Sequence, residues 1–269
     1  MRTALTIAGS DSGAGAGIQA DLKTFAAHGL YGTCAITAVT AQNTCGVSMV
    51  EALSADLVTA QIEAVFSDLG AHAAKTGMLA TVAIVEAVSA TVQALDIPFL
   101  VVDPVILASS GERLLDEDGL RALKAELIPL AVVVTPNIPE AETLTGMQVR
   151  TVEDQKEAAR RIAGLGARSV VVTGGHASSD DITDLLFTGG EFIEFRHRRV
   201  PGRHTHGTGC TFSAAIASHL ALGVDVRDAV PRAQAFVRDA IARAPALGQG
   251  RGPMDHFFKW EITGPASAE

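Results

Sequence analysis

Residues 4–28 read ALTIAGSDSGAGAGIQADLKTFAAH, and a change of period inside them decides the fold. ALTIAG (4–9) is a short, apolar, strand-like run, whereas apolar positions from about residue 16 recur at helical spacing. Gly9, Gly13, Gly15 and Gly17 fill the junction. A strand that runs through a glycine-rich turn into a helix opens a βα unit. Such a turn brings backbone close to whatever binds beyond the C-terminal end of a parallel strand. Two nucleotide-binding motifs begin in this way, and neither is present. A dinucleotide fingerprint from Gly13 needs glycine where Ile18 stands, and a Walker A motif from Gly9 needs Gly-Lys-Ser/Thr where Ala14, Gly15 and Ala16 stand.

The same alternation continues along the chain. CAITAV (34–39), FLVVD (99–103), AVVVT (131–135) and SVVVT (169–173) read as strands, several of them apolar throughout, as when helices cover both sheet faces. Helical periodicity lies at about 16–28, 55–68, 81–95, 117–127, 139–145 and 152–164. ITDLLFTGGEFIEFRHRRV (182–200) reads as an edge β-hairpin around Gly189-Gly190, and helices follow at about 208–222 and 226–243. The expectation is an α/β fold with a central, mostly parallel sheet flanked by helices on both faces. No linker or repeat divides the chain, so residues 1–269 read as one domain, irregular from Gly248 and frayed at 262–269.

Composition narrows the function. Acidic residues outnumber Lys and Arg by 30 to 21, which disfavours nucleic acid as a partner. No uncharged apolar run reaches the roughly 20 residues that span a bilayer, and the N-terminus lacks a signal-peptide pattern. Three cysteines without a C-x-x-C pair argue against disulfides or structural zinc and fit a reducing, cytoplasmic setting.

The chemistry concentrates at HGTGC (206–210), where two glycines and a cysteine precede an Ala-rich helix. The first N–H groups of a helix have no partners within it, so Gly207, Thr208 and Gly209 form an anion cradle. Cys210, on the first turn, is expected to have a lowered pKa and some thiolate near neutral pH; the bland alternative is a packing cysteine. Asp21 either turns a carboxylate toward a ligand or pairs with Lys23 and solvent. Asn137 and Glu140 in TPNIPEAE either hold Mg²⁺ through water or cap a helix. Asp103 ends an apolar strand where a side chain enters the crevice and can organise metal or phosphate.

Taken in order, GSDSGAGAGIQADLKTF, TAVTAQNT (37–44), KTGML (75–79), VDPVILASSG (102–111), TPNIPEAE (135–142) and HGTGC resemble the hydroxymethylpyrimidine/phosphomethylpyrimidine kinases of thiamine biosynthesis, in the ribokinase-like superfamily. The resemblance runs through nearly the whole chain. It implies a ribokinase-like fold, MgATP, a pyrimidine alcohol and its monophosphate as substrates, and a homodimer. It implies Cys210 as proton acceptor, Asn137 and Glu140 at the magnesium, and Gly9, Asp21, Gln42, Met78 and Val105 around the pyrimidine. Three residues depart from the family pattern. Gly13 and Ala14 stand where Ser and Gly are usual, and Thr173 stands at the nucleotide phosphates where many members have lysine. Arg203 or a lysine elsewhere is the candidate substitute. The rival readings are a pyridoxal or pyridoxine kinase, a non-catalytic pyrimidine-binding protein and, fitting poorly, a cysteine hydrolase. His204 and His206 lack the further ligands a metal site needs.

Overall fold

The structure, a computed structural model, describes residues 1–107, 113–175 and 181–260. The last four residues of VDPVILASSG, His176 and the 262–269 tail lie outside the described residues.

The opening βα unit is present as β1 (Thr3–Asp11) and α1 (Gly17–Ala27). CAITAV belongs to a longer strand, β2 (Tyr31–Asn43), which folds back through Asn43–Gly46 into β3 (Gly46–Ala52). After α2 (Ala55–Asp68) comes β4 (Ala73–Thr76), then α3 (Val82–Ala94), β5 (Leu100–Val102) and α4 (Glu117–Ala122). The chain continues through β6 (Val133–Val134), α5 (Ile138–Thr145), α6 (Val152–Ala163) and β7 (Ser169–Val172). The expected hairpin is β8 (Asp181–Thr188) and β9 (Glu191–Arg198), followed by α7 (Thr208–Ala221) and α8 (Val226–Ala242).

Among the described residues these strands form one sheet in the order β3-β2-β1-β4-β5-β6-β7-β8-β9. The six from β2 to β7 are mutually parallel, and antiparallel hairpins close both edges. Sequence patterning anticipated the hairpin at one edge and missed the other. It also missed β4, because AAKT is four residues long and carries a lysine.

Apolar side chains fill both faces. Phe25 of α1 packs with Phe212, Ile216, Val230 and Phe236 of α7 and α8 on one side. Ile62, Val88, Leu144 and Ile162 of the other helices cover the opposite side. From β1 the chain winds one way to β2 and then the other way through β4 and β5. This reversal opens a crevice beyond the C-terminal ends of β1 and β4, the place where such sheets bind ligands.

Candidate active site

The glycine-rich turn after β1 is organised by Asp11. Its carboxylate accepts N–H groups of Gly13 (2.8 Å), Gly15 (3.1 Å) and Ala16 (2.8 Å). His206 Nε2 lies 2.8 Å from the same carboxylate, which can only accept, so that nitrogen carries the proton. Burial pushes the Asp11 carboxyl up, but the bonds from His206, Ala16 and Gly13 outweigh it and hold the group below its usual range. Ala14 adopts φ = 57°, a left-handed conformation that costs a non-glycine residue about 1 kcal/mol.

This turn interlocks with the one before α7. Gly207 has φ = 81°, and a Cβ on it would overlap the Gly15 carbonyl, so that position requires glycine; a Cβ on Gly15 would run into the His206 ring. The N–H groups of Gly209 and Cys210 have no hydrogen-bond partner among the described residues and stand free at the start of a buried helix. Cys210 is half-buried, and its sulfur accepts the N–H of Gly17. The Gln42 carboxamide reaches the other side of the same crevice, 3.2 Å from His206 Nε2, and accepts the Thr40 hydroxyl. Gly9 leaves room beside Met78, whose terminal methyl would lie 2.6 Å from an added Cβ. Val105 stands half-buried after Asp103-Pro104 with φ = 40°, which a β-branched residue adopts only in a strained turn.

Several site residues sit differently from expectation. Asp21 has no exposed surface and turns away from Lys23. It accepts the Thr6 hydroxyl (2.6 Å) and both oxygens engage Lys75 (3.1 and 3.0 Å), while Lys23 donates to the Ala14 carbonyl. The Cys210 thiol is not lowered toward neutral. Burial pushes it up to about 12; Lys75 pulls against this, Asp103 and Asp21 add to it, and the Gly17 N–H is too weak to reverse it. A helix terminus acts through local dipoles, whereas the surroundings that raise this thiol come from β4, β5 and α1, distant in sequence.

Asn137 and Glu140 make a reciprocal cap on α5: the Asn137 side chain accepts the Glu140 N–H, and Glu140 accepts the Asn137 N–H, both at 3.0 Å. Glu140 also accepts the Ile106 N–H at 3.3 Å and is buried. Burial, with the Asp103 charge adding, pushes its carboxyl up to about 8. Asp103 accepts the Ser213 hydroxyl at 3.1 Å and lies beneath Gly209. Thr173 bridges to Asn137 in the continuation of β7, and Arg203 donates to the Gln249 carbonyl on the C-terminal segment.

That segment, irregular by its sequence, straps the site together. Arg251 N–H reaches the Thr44 carbonyl at the β2–β3 tip, Gly252 accepts the His206 N–H, and His256 lies 2.9 Å from the Thr211 hydroxyl on α7. Sequence places His206 in the segment near the transferred phosphate, and the structure sets it against Asp11 and Gln42; sequence gives no such placement for Asp11, Lys75 or the strap. A lysine inside an apolar strand was the one available signal for Lys75.

The crevice therefore sets a helix-start anion cradle, a cysteine and a half-buried carboxamide around one space. A family model described as phosphomethylpyrimidine kinase matches residues 11–255. The chain belongs to that family. Hydroxymethylpyrimidine/phosphomethylpyrimidine kinases of Bacillus subtilis (47% identical, 94% of each chain) and Rhizobium meliloti (49%, covering 96% of this chain and 97% of that one) are similar over almost their full lengths. A bifunctional thiamine-biosynthesis protein of Geobacter sulfurreducens is 48% identical over 96% of this chain, which spans 52% of that longer protein. Among solved structures, phosphomethylpyrimidine kinase of Clostridium difficile superposes with a TM-score of 0.81 at 42% identity, covering 90% of this chain and all of that one. The ADP complex of Bacillus subtilis pyridoxal kinase superposes at 0.90 with 39% identity, covering 96% and 98%. The ribokinase-like expectation for the fold agrees with these neighbours. Among the described residues no helix is long and apolar enough to cross a membrane.

Proposed function

We propose that this chain transfers the γ-phosphoryl group of ATP to the hydroxymethyl oxygen of 4-amino-5-hydroxymethyl-2-methylpyrimidine, and then phosphorylates the monophosphate. The observation that carries the reading is the meeting of the Gly207–Cys210 turn with the Asp11–Gly17 turn, Gln42 and His206 in one crevice. Phosphoryl transfer asks a protein mainly for alignment and charge stabilisation. The open N–H groups of Gly209 and Cys210 point where negative charge gathers on the moving phosphoryl, with the α7 dipole behind them. Gln42 offers a donor and an acceptor to the edge of an aminopyrimidine, and Met78 and Val105 offer apolar surface to its faces. Asp21, enclosed beneath the site, acts on this pocket by holding Lys75 and by its charge.

Mg²⁺ fits the donor set: Glu140 is a buried carboxylate whose charge is disfavoured next to Asp103, and a divalent cation would relieve both. Glu140 and Asn137 would hold it through water, and it would neutralise phosphate charge during transfer. Asp103 and Thr173 face the nucleotide phosphates in this reading.

Cys210 accepts the substrate's hydroxyl proton. Its thiol rests protonated, so the thiolate forms when the site fills and the balance of charge around it changes. The homodimer implied by the resemblance belongs to the same reading and is checked by solution mass. A coupled ADP assay with the pyrimidine alcohol, its monophosphate and pyridoxal tests the assignment. ADP release with the first two and a lower kcat/KM for pyridoxal are expected. Pyrimidine binding without ADP release would reduce the chain to a binding protein. Cys210→Ala is expected to lower kcat at least about 100-fold, the usual range for general-base removal; normal turnover would dismiss the base.

A further inference from the structure

Strand β4 is buried along its whole length, and one of its four residues, Lys75, is charged with no exposed surface. Lys75 stands in register between Thr6 of β1 and Val101 of β5. Its ammonium donates to both oxygens of Asp21 and lies 3.8 Å from Asp103 Oδ2. Space for it is kept by Gly77, where an added Cβ would sit 2.9 Å from Nζ. Taking two charges out of water costs several kcal/mol per ion, and well-packed apolar replacements are often as stable. Fold stability alone is therefore a poor reason for a lysine in the middle of this sheet.

The arrangement around it points to a role in the site. Two carboxylates share one ammonium, and one of them, Asp103, reaches the first turns of α7, where it accepts the Ser213 hydroxyl and lies beneath Gly209, the neighbour of Cys210. The charges that act on the Cys210 sulfur are those of Lys75 on β4, Asp103 at the end of β5 and Asp21 on α1, and the Gly17 N–H of α1 donates to it. Glu140 of α5 stands behind Asp103. Within this set Lys75 is the cation, and its attraction for a negative sulfur exceeds the repulsion from either carboxylate.

We propose that Lys75 is a positioning residue for phosphoryl transfer: its buried ammonium, locked by Asp21, supplies the positive charge that lets Cys210 act as proton acceptor and holds Asp103 beside it. This rests on the kinase reading. In the step, the substrate oxygen bonds to the γ-phosphorus and the bond to the ADP oxygen breaks with its electron pair. The hydroxyl proton passes to the Cys210 thiolate, whose own proton has already left to solvent. Lys75 keeps its proton throughout.

The test measures Cys210 alkylation by iodoacetamide across pH, without nucleotide, in a Cys34→Ser/Cys45→Ser background. Lys75→Met alone strands Asp21 as an unpaired buried carboxylate and is expected to unfold readily. Lys75→Met with Asp21→Asn removes both charges, keeps an acceptor for Thr6 and is the informative variant. It is expected to melt cooperatively, to alkylate at Cys210 at least about tenfold more slowly at pH 9, and to lose at least about tenfold in kcat with KM for the pyrimidine within about threefold. Asp103→Asn, which removes an opposing charge, is expected to speed alkylation severalfold. A folded double variant with unchanged alkylation overturns the proposal, as does an Asp103→Asn chain that alkylates more slowly. Alkylation needs no turnover, so an inactive parent chain would sink the kinase reading alone, whereas an alkylation rate indifferent to Lys75 would sink this one.

Discussion

Replacing Glu140 by glutamine removes a carboxyl that the fold holds far above its usual range. Burial and the neighbouring Asp103 charge raise it from 4.5 to about 8, so between those values the native state keeps a proton that the unfolded chain releases. The contribution of this group is complete below pH 4.5 and is lost as pH rises toward 8. One proton of difference is worth about 1.4 kcal/mol per pH unit, hence about 3 kcal/mol between about pH 5.5 and 7.5. The carboxamide does not titrate. It gives up one of the two N–H bonds that Glu140 accepts from Asn137 and Ile106, a pH-independent cost of about 1 kcal/mol. Urea unfolding of both chains with a chelator present should thus show the wild type slightly more stable at the acidic end and less stable at the alkaline end. Millimolar Mg²⁺ should flatten the wild-type profile, because a cation near Glu140 favours the ionised form. Parallel profiles for the two chains would refute the reasoning, since every other titrating group is common to both.

Two further substitutions test how the turns are built. Asp11→Asn should destabilise the chain by about 1–3 kcal/mol at neutral pH. The Asp11 carboxyl is held below its usual 3.8, so its contribution is present above that value and fades as pH falls through the folded pKa; an equal deficit in acid would count against it. Gly207→Ala forces a side chain into a left-handed turn against Gly15, and should cost at least about 1–2 kcal/mol in urea unfolding and lower kcat as well; an unperturbed kcat would show that the two turns need not interlock for transfer.

Local chemistry made much of this protein legible in its sequence. The switch from strand to helical period after Gly9, the apolar runs ending in Asp103 and Thr135, and the paired glycines before Cys210 depend only on residues close in the chain. They yielded the parallel sheet, the end of it that carries the site, and the hairpin at Gly189-Gly190. The short β4 and the hairpin of β2 with β3 escaped, because four residues carry too little periodicity and β3 is largely exposed.

What only the tertiary structure decided is which charges meet. Asp21 and Lys75 are far apart in the chain and share no local pattern, yet strand pairing brings them into contact and turns Asp21 from a ligand candidate into the anchor of a buried cation. Likewise Cys210 begins a helix, which favours a thiolate, but the helix is seated where burial reverses the balance. Helix dipoles and caps act over a single turn and can be read from neighbours in sequence. Desolvation and ion pairing depend on what the completed fold places around a group, and the order of residues along the chain does not contain that in readable form.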